Sequence, residues 1–96
     1  MPVYVIAQLK IKDRARYQRY VDAFMPVLAA HGGRLLAADE APARAEGDWP
    51  YDKVILLSFP DEARFRAWAD SPDYRRIAQD RLAATTGPVI LAHGPG

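Results

Sequence analysis

The sequence predicts one α+β domain spanning all 96 residues, with elements in the order βαββαβ and a four-stranded antiparallel sheet carrying its helices on one face. Three observations predict this. Short β-type stretches alternate with longer stretches whose apolar residues recur three and four apart. Glycine, proline or a capping residue stands at each change of period. The run Val54-Ile55-Leu56-Leu57-Ser58-Phe59 is apolar at both parities, yet the chain has few helices to cover two sheet faces.

Residues 2–11 alternate two sets, Val3/Val5/Ala7/Leu9 and Tyr4/Ile6/Gln8/Lys10, and their β-branched content without a breaker argues a strand. The first set is wholly apolar; the second turns polar towards its end. Asp13 offers an N-cap carboxylate, and Tyr17, Tyr20, Val21, Phe24 and Leu28 then form one stripe of an amphipathic helix. Pro26 inside it removes a backbone hydrogen bond and crowds the preceding turn, a cost of about 3 kcal/mol, so a kink is expected over residues 22–26. His31-Gly32-Gly33 ends the helix, because glycine takes the left-handed conformation and histidine suits the negative end of the dipole. Residues 34–38 read as a second strand. Residues 39–50 have no period and form a long loop, a kind that often carries function.

Residues 51–59 are the third strand, stopped by Pro60, and Asp61-Glu62 place negative charge at the start of a helix with Phe65, Trp68 and Ala69 inward. Ser71-Pro72 opens a second helical segment, serine as cap and proline at the first position, with Tyr74, Ile77, Ala78 and Leu82 on its buried side. Thr85-Thr86-Gly87-Pro88 breaks that helix. The last strand, 89–93, has Val89/Leu91/His93 on one side and Ile90/Ala92 on the other. This order is the ferredoxin-like arrangement, which leaves one sheet face bare. Strands apolar at both parities make that face more apolar than a water-facing sheet, so a homodimer closing through its sheet faces is expected.

Lysine and arginine total 13 against 12 aspartates and glutamates, interspersed, so no field strong enough for nucleic acid or an anionic membrane is expected, and a neutral or weakly charged ligand fits better. The arginines at 14, 16, 19, 64, 66, 75 and 76 lie beside acids on helix faces and read as the solvated side. With no cysteine, disulfides, thiolate nucleophiles and thiolate zinc sites are excluded. No apolar run nears the roughly 20 residues that cross a bilayer, and no leader is recognised, so a cytoplasmic location is expected. A nucleophilic serine motif, a phosphate-cradling glycine loop, a nucleotide fingerprint and metal-ligand spacing are all missing, so neither cofactor nor metal is expected.

For chemistry, Glu46 and Trp49 form the leading pair: a carboxylate three residues from an indole, on a loop beside the sheet, would be partly desolvated and raised towards a general base. The plain alternative is a solvated or ion-paired Glu46 beside a Trp49 that seals the core edge. Tyr4, Gln8 and His93 are polar members of the strands that could orient an apolar ligand, although strand ends near solvent carry such residues anyway. His31 reads as a helix cap, and Tyr17 and Tyr20 as packing residues with hydroxyls at the rim.

The strings Gly32-Gly33-Arg34, Glu46-Gly47-Asp48-Trp49, Phe59-Pro60 and Trp68-Ala69-Asp70-Ser71-Pro72-Asp73-Tyr74, with Arg81 downstream, resemble the small bacterial family called domain of unknown function 1330 (DUF1330) over nearly the whole chain. The resemblance implies a dimeric α+β barrel. Relatives in that superfamily include cofactor-free monooxygenases, muconolactone-type isomerases, haem-degrading proteins and ligand-sensing domains, so the fold alone does not select a reaction. It also implies Trp68, Tyr74 and Arg81 as ligand-side candidates, against core packing for Tyr74; Arg81 either holds a carboxylate bidentately or, ranked first, forms a structural ion pair with an acid such as Glu46 or the partner subunit's Asp80. Where the family usually has an arginine followed by small residues after the Gly-Gly pair, this chain has Ala38-Asp39-Glu40, a missing positive charge that points to a different ligand or to the fold alone. The expected function is a homodimer that binds or converts a small, largely apolar molecule in a pocket between sheet, helices and the 39–50 loop. As an enzyme it would use cofactor-independent proton abstraction or oxygenation, with Glu46 as base; the alternative is a dimer that only binds ligand or only builds structure.

Overall fold

Strand β1 (Val3–Ile11) is the axis of the fold, and its two-residue period appears directly in its burial. Val3, Val5, Ala7 and Leu9 are 7% exposed or less, while Tyr4, Ile6 and Gln8 between them are half-buried. The computed structural model describes residues 1–95. On one side β1 pairs antiparallel with β3 (Lys53–Phe59), from Val3 opposite Phe59 to Leu9 opposite Lys53. β2 (Arg34–Asp39) adds to the far edge of β3, with a register shift between Leu35 and Ala37. On the other side β1 is covered in two pieces. β4 (Thr85–Thr86) pairs with Lys10 and Ile11, and β5 (Val89–His93) pairs with Val3 to Ala7. The expected four strands therefore become five, because residues 85 and 86, expected only to break a helix, pair with β1 before the chain turns. That turn needs glycine: Gly87 has φ +139°, and a Cβ there would collide with the Gln8 carbonyl oxygen.

Three helices cover the Val3/Val5/Ala7/Leu9 side. Helix α1 (Arg14–Ala30) begins at Asp13, whose Oδ1 accepts from the Arg16 N–H at 3.1 Å. It continues through Pro26, which lies on its exposed side, and buries Tyr17, Tyr20, Phe24 and Leu28. Beyond its end, Gly33 sits hard against Leu28 and Phe59, where a side chain would have no room. Helix α2 (Glu62–Asp70) starts at Asp61, which accepts from the Arg64 N–H at 2.8 Å. Ser71 then serves two helices at once: its hydroxyl donates to the Trp68 carbonyl at 2.8 Å and accepts from the Tyr74 N–H at 3.1 Å, opening α3 (Pro72–Ala84).

The buried stripe of α3 differs from the expected one. Leu82 is 65% exposed, whereas Tyr74, Ile77, Ala78 and Ala84 are buried and Arg81 is half-buried among them. Residue 81 lies seven after Tyr74, two helical turns on and the same face; residue 82 is a further 100° or so round the helix. A charged side chain therefore occupies the place expected for a leucine.

The Cα envelope measures 33 × 32 × 16 Å, room for one sheet and one helix layer only. The outer sheet face, carrying Tyr4, Ile6, Val54, Leu56 and Ile90, has no layer above it, and Ile90 is 52% exposed. Among the described residues no helix is long and apolar enough to cross a membrane.

Candidate functional site

Between the sheet and the helices the packing is incomplete. A cavity of about 120 Å³ is walled by Val5, Ala7, Ile55 and Leu57 from the sheet and by Phe24, Phe65 and Trp68 from the helices. Tyr20, Tyr74 and Arg81 supply its polar groups, and Val89, 45% exposed, stands at its rim. A neighbouring hollow of about 90 Å³, lined by Tyr17, Met25, Leu35 and Lys53, shares Tyr20, Phe24 and Ile55 with it.

Local structure explains how these groups meet. Tyr20 lies on the buried stripe of α1 and Tyr74 in the first turn of α3, set there by the Ser71 cap, and their hydroxyls are 2.9 Å apart. Trp68, in the last turns of α2, packs on Tyr74 with ring centroids 3.9 Å apart. Its indole N–H is buried without an acceptor among the described residues. The Arg81 guanidinium lies 6.0 Å from the centre of the Tyr20 ring. Burial, reinforced by Tyr74, pushes the Tyr20 hydroxyl well above the ordinary tyrosine range, so it remains a neutral hydrogen-bonding group. Burial also works against the Arg81 charge, but the facing Tyr74 and Tyr20 hydroxyls outweigh it and its pKa is raised.

The ion pair expected first for Arg81 is not formed within the chain. Asp80 is held instead by Arg16 at 2.8 Å and Arg19 at 3.7 Å, and Glu46 lies beyond the sheet. Every other helical arginine faces a carboxylate: Arg14 with Glu40, Arg64 with Asp61, Arg66 with Glu62, Arg75 with Asp70, and Arg76 with Asp73. Among the described residues Arg81 has none.

A third hollow belongs to the loop between β2 and β3. Asp52 anchors the loop's end, accepting from the Ile11 N–H at 2.8 Å and donating its own N–H to the Leu9 carbonyl at 2.7 Å. The Trp49 indole donates to Gln8 Oε1 at 3.0 Å, and Gln8 is an outer-face residue, so the loop folds over the outer face of the sheet. The resulting hollow, about 430 Å³, is lined by Pro42, Arg44, Glu46, Asp48, Trp49 and Val54. Glu46 is exposed, so within one chain it lacks the desolvation expected of a base. Of the departing stretch, Ala38 lines the 90 Å³ hollow, Asp39 accepts from the Ala41 N–H, and Glu40 pairs with Arg14.

The single pocket expected between sheet, helices and loop is thus divided between opposite faces of the sheet. Trp68, Tyr74 and Arg81 share the helix-side cavity; Glu46 and Trp49 share the loop-side one. Tyr4 is half-buried on the outer face, opposite Ser58 and Ala92. His93 joins neither: exposed at the sheet edge, its Nε2 lies 2.9 Å from Glu62 Oε1, and that hydrogen bond, with Arg66 beside it, lowers the Glu62 pKa. The His31 Nδ1 lies 3.1 Å from the Val27 carbonyl at the end of α1. Tyr20 was not among the expected ligand contacts. Its signal was a pair of tyrosines on one buried stripe, since a buried phenol needs a partner for its hydroxyl. Among the described residues no cluster of His, Asp and Glu is arranged to hold a metal ion.

No curated protein matches the sequence. A solved protein of unknown function from Rhodopseudomonas palustris is similar with a TM-score of 0.83 at 18% identity, over 99% of this chain and 83% of that one. A dimeric ferredoxin-like protein of unknown function from Jannaschia sp. CCS1 gives 0.73 at 17%, over 98% and 100%. SnoaB, a cofactor-independent oxygenase from Streptomyces nogalater, gives 0.70 at 13%, over 99% and 94%. At such identities the likeness is one of fold, and that fold is ferredoxin-like. The sequence pattern of the domain of unknown function DUF1330 matches residues 2–95, and the chain belongs to that family.

Proposed function

We propose that the protein is a homodimer, joined through the outer faces of its sheets, that binds or converts a small, largely apolar organic molecule held between sheet and helices. The observation that carries the reading is the cavity holding Arg81: apolar walls with a few convergent polar groups, one a half-buried guanidinium without a carboxylate. Ligand sites have that composition. The dimer is supported by the uncovered apolar outer face and, at the level of fold, by the dimeric protein from Jannaschia.

A second reading rests on the bond from Trp49 to Gln8, which puts the loop-side hollow on the face a second subunit would cover. There a partner subunit would remove water from Glu46, leaving it as the base of a cofactor-independent proton abstraction or oxygenation with Trp49 as wall. The cofactor-independent oxygenase of the same fold supports chemistry of that kind. Native mass spectrometry of the protein as isolated separates the readings. The first expects a dimeric mass carrying a small molecule that is lost in Arg81→Gln and kept in Glu46→Ala and Trp49→Ala. The reverse pattern moves the site to the loop, and a monomeric mass at micromolar concentration rules out the sheet-face dimer.

A further inference from the structure

We infer that the helix-side cavity takes a small monocarboxylate: an apolar ring or short branched chain of about six to nine non-hydrogen atoms whose single carboxylate lies on Arg81 and a tyrosine hydroxyl. The inference rests on the reading of that cavity as the ligand site and adds the chemical class.

Charge is the first argument. Every other helical arginine of the chain meets an acid, Arg16 in a half-buried pair with Asp80 and the rest on the exposed surface, where such a pair contributes little. Arg81 is drawn half out of water beside an apolar cavity and meets none. A guanidinium in that setting faces the Tyr20 and Tyr74 hydroxyls but no negative charge, and a carboxylate supplies that charge while meeting two of its N–H donors at once.

Hydrogen bonding gives the second argument, independent of charge. Only one O–H is used in the contact between Tyr20 and Tyr74, so the pair has a second hydrogen to donate elsewhere. The Trp68 indole, on a residue 4% exposed that lines the same cavity, is also a donor without an acceptor. Guanidinium, phenol and indole together form a surplus of donors, and no carboxylate, histidine or amide side chain lines the cavity to meet them. The missing partner is therefore rich in acceptors and negatively charged. One cation argues for one negative charge rather than the two of a phosphate monoester, since Lys53 lines only the adjoining hollow, over the Tyr17 ring.

Volume limits the remainder of the molecule. Apolar cavities of about 150 Å³ hold benzene, so the roughly 120 Å³ here suits one ring or a short branched chain, with the carboxylate towards the Val89 and Arg81 rim.

The two tryptophans make the test direct, because Trp68 reports on the helix-side cavity and Trp49 on the loop-side hollow. The ¹⁵N-labelled full chain is titrated with benzoate, benzamide and benzene while both indole N–H resonances are followed. Benzoate is expected to shift the Trp68 resonance and leave that of Trp49, and to bind at least about tenfold more tightly than benzamide, the charge-assisted bond being the difference. In Arg81→Gln the benzoate-to-benzamide ratio should fall to about one, and Arg81→Lys should keep part of it. Equal binding of benzoate and benzamide to the wild type, or a benzoate shift confined to Trp49, overturns the carboxylate inference even if Arg81→Gln does not fold. Benzene decides what falls with it: if benzene shifts Trp68, the cavity reading stands without the carboxylate, and if benzene does not bind, both fall.

Discussion

On the helix side of the sheet, Val3, Val5, Leu9, Leu57 and Phe59 are 3% exposed or less; on the other side Tyr4, Ile6, Val54 and Leu56, from the same two strands, are only half-buried. The residues are comparable in apolar character, and only their cover differs. The helix-covered face buries its polar groups, the Tyr20 and Tyr74 hydroxyls paired at 2.9 Å and the Trp68 indole N–H without an acceptor among the described residues. The open face instead has a loop folded on it, a hollow of about 430 Å³ and a carboxylate, Glu46, still in water. Stability is thus concentrated on one side, and capacity for association on the other.

The sharpest test of this division is Phe59→Ala. Phe59 is 1% exposed, packed against Trp68 and Phe65 at centroid distances of 5.3 and 5.8 Å, and its loss should destabilise the fold by about 3–5 kcal/mol in denaturant unfolding. A cost below 1 kcal/mol would mean that the helix side is not the core. The counterpart on the open face is Leu56→Lys, in the same strand with the opposite parity. It should leave the far-ultraviolet circular dichroism of the chain native while weakening self-association at least about a hundredfold by sedimentation, because a two-fold interface sets each added charge near its copy. If both variants affect only stability, or both only association, the two faces do not divide the work.

The elements of this fold were legible because their signals are local. Asp13, Asp61 and Ser71 cap the helices they precede, and the three-and-four spacing of Tyr17, Tyr20, Phe24 and Leu28 marks the buried side of α1. The site was less legible because it is assembled from afar: Tyr20 and Tyr74 are 54 residues apart in sequence and touch only when α1 packs beside α3. Arg81 carried a local signal, its two-turn spacing from Tyr74, but Leu82 next to it is the better core residue by composition. Hydrophobicity alone therefore rotated the stripe by one position. Glu46 and Trp49 are three residues apart in sequence and line one hollow, yet nothing in their spacing indicates which sheet face the loop covers; the Trp49 bond to Gln8 decides that.

Tyr20→Phe tests whether the sealed face depends on its polar pair. It removes one hydroxyl from a buried bond, leaves Tyr74 without that partner, and should cost about 1 kcal/mol at neutral pH. The pH dependence is more telling. Because burial raises the folded-state pKa of Tyr20 above its ordinary 10.0, unfolding releases its proton more readily than the folded chain does once the pH passes that value. Its contribution is intact below pH 10.0 and declines as the pH rises further, so wild-type melting temperatures should fall more steeply there than those of Tyr20→Phe. Parallel alkaline limbs would mean that the hydroxyl is solvated.

The smallest effect is expected at the rim, where the two faces meet. His93 lies at the end of β5 on the helix-side parity, and its contact with Glu62 at 2.9 Å fastens the sheet edge to the first turn of α2. The hydrogen bond from His93, then that from Arg66, lowers the folded-state pKa of Glu62 below its ordinary 4.5. A depressed carboxyl stabilises the fold above its unfolded-state pKa, and this stabilisation is lost as the pH falls from 4.5 through the lower folded value. Glu62→Gln should therefore flatten the acid limb of a melting-temperature profile without altering its alkaline limb. Both side chains are open to solvent, His93 more than Glu62, so the difference should be slight and should shrink further in molar salt. A large, salt-insensitive difference would mean that this edge is covered in the assembled protein, and the open surface would then extend past the outer sheet face to the edge at β5.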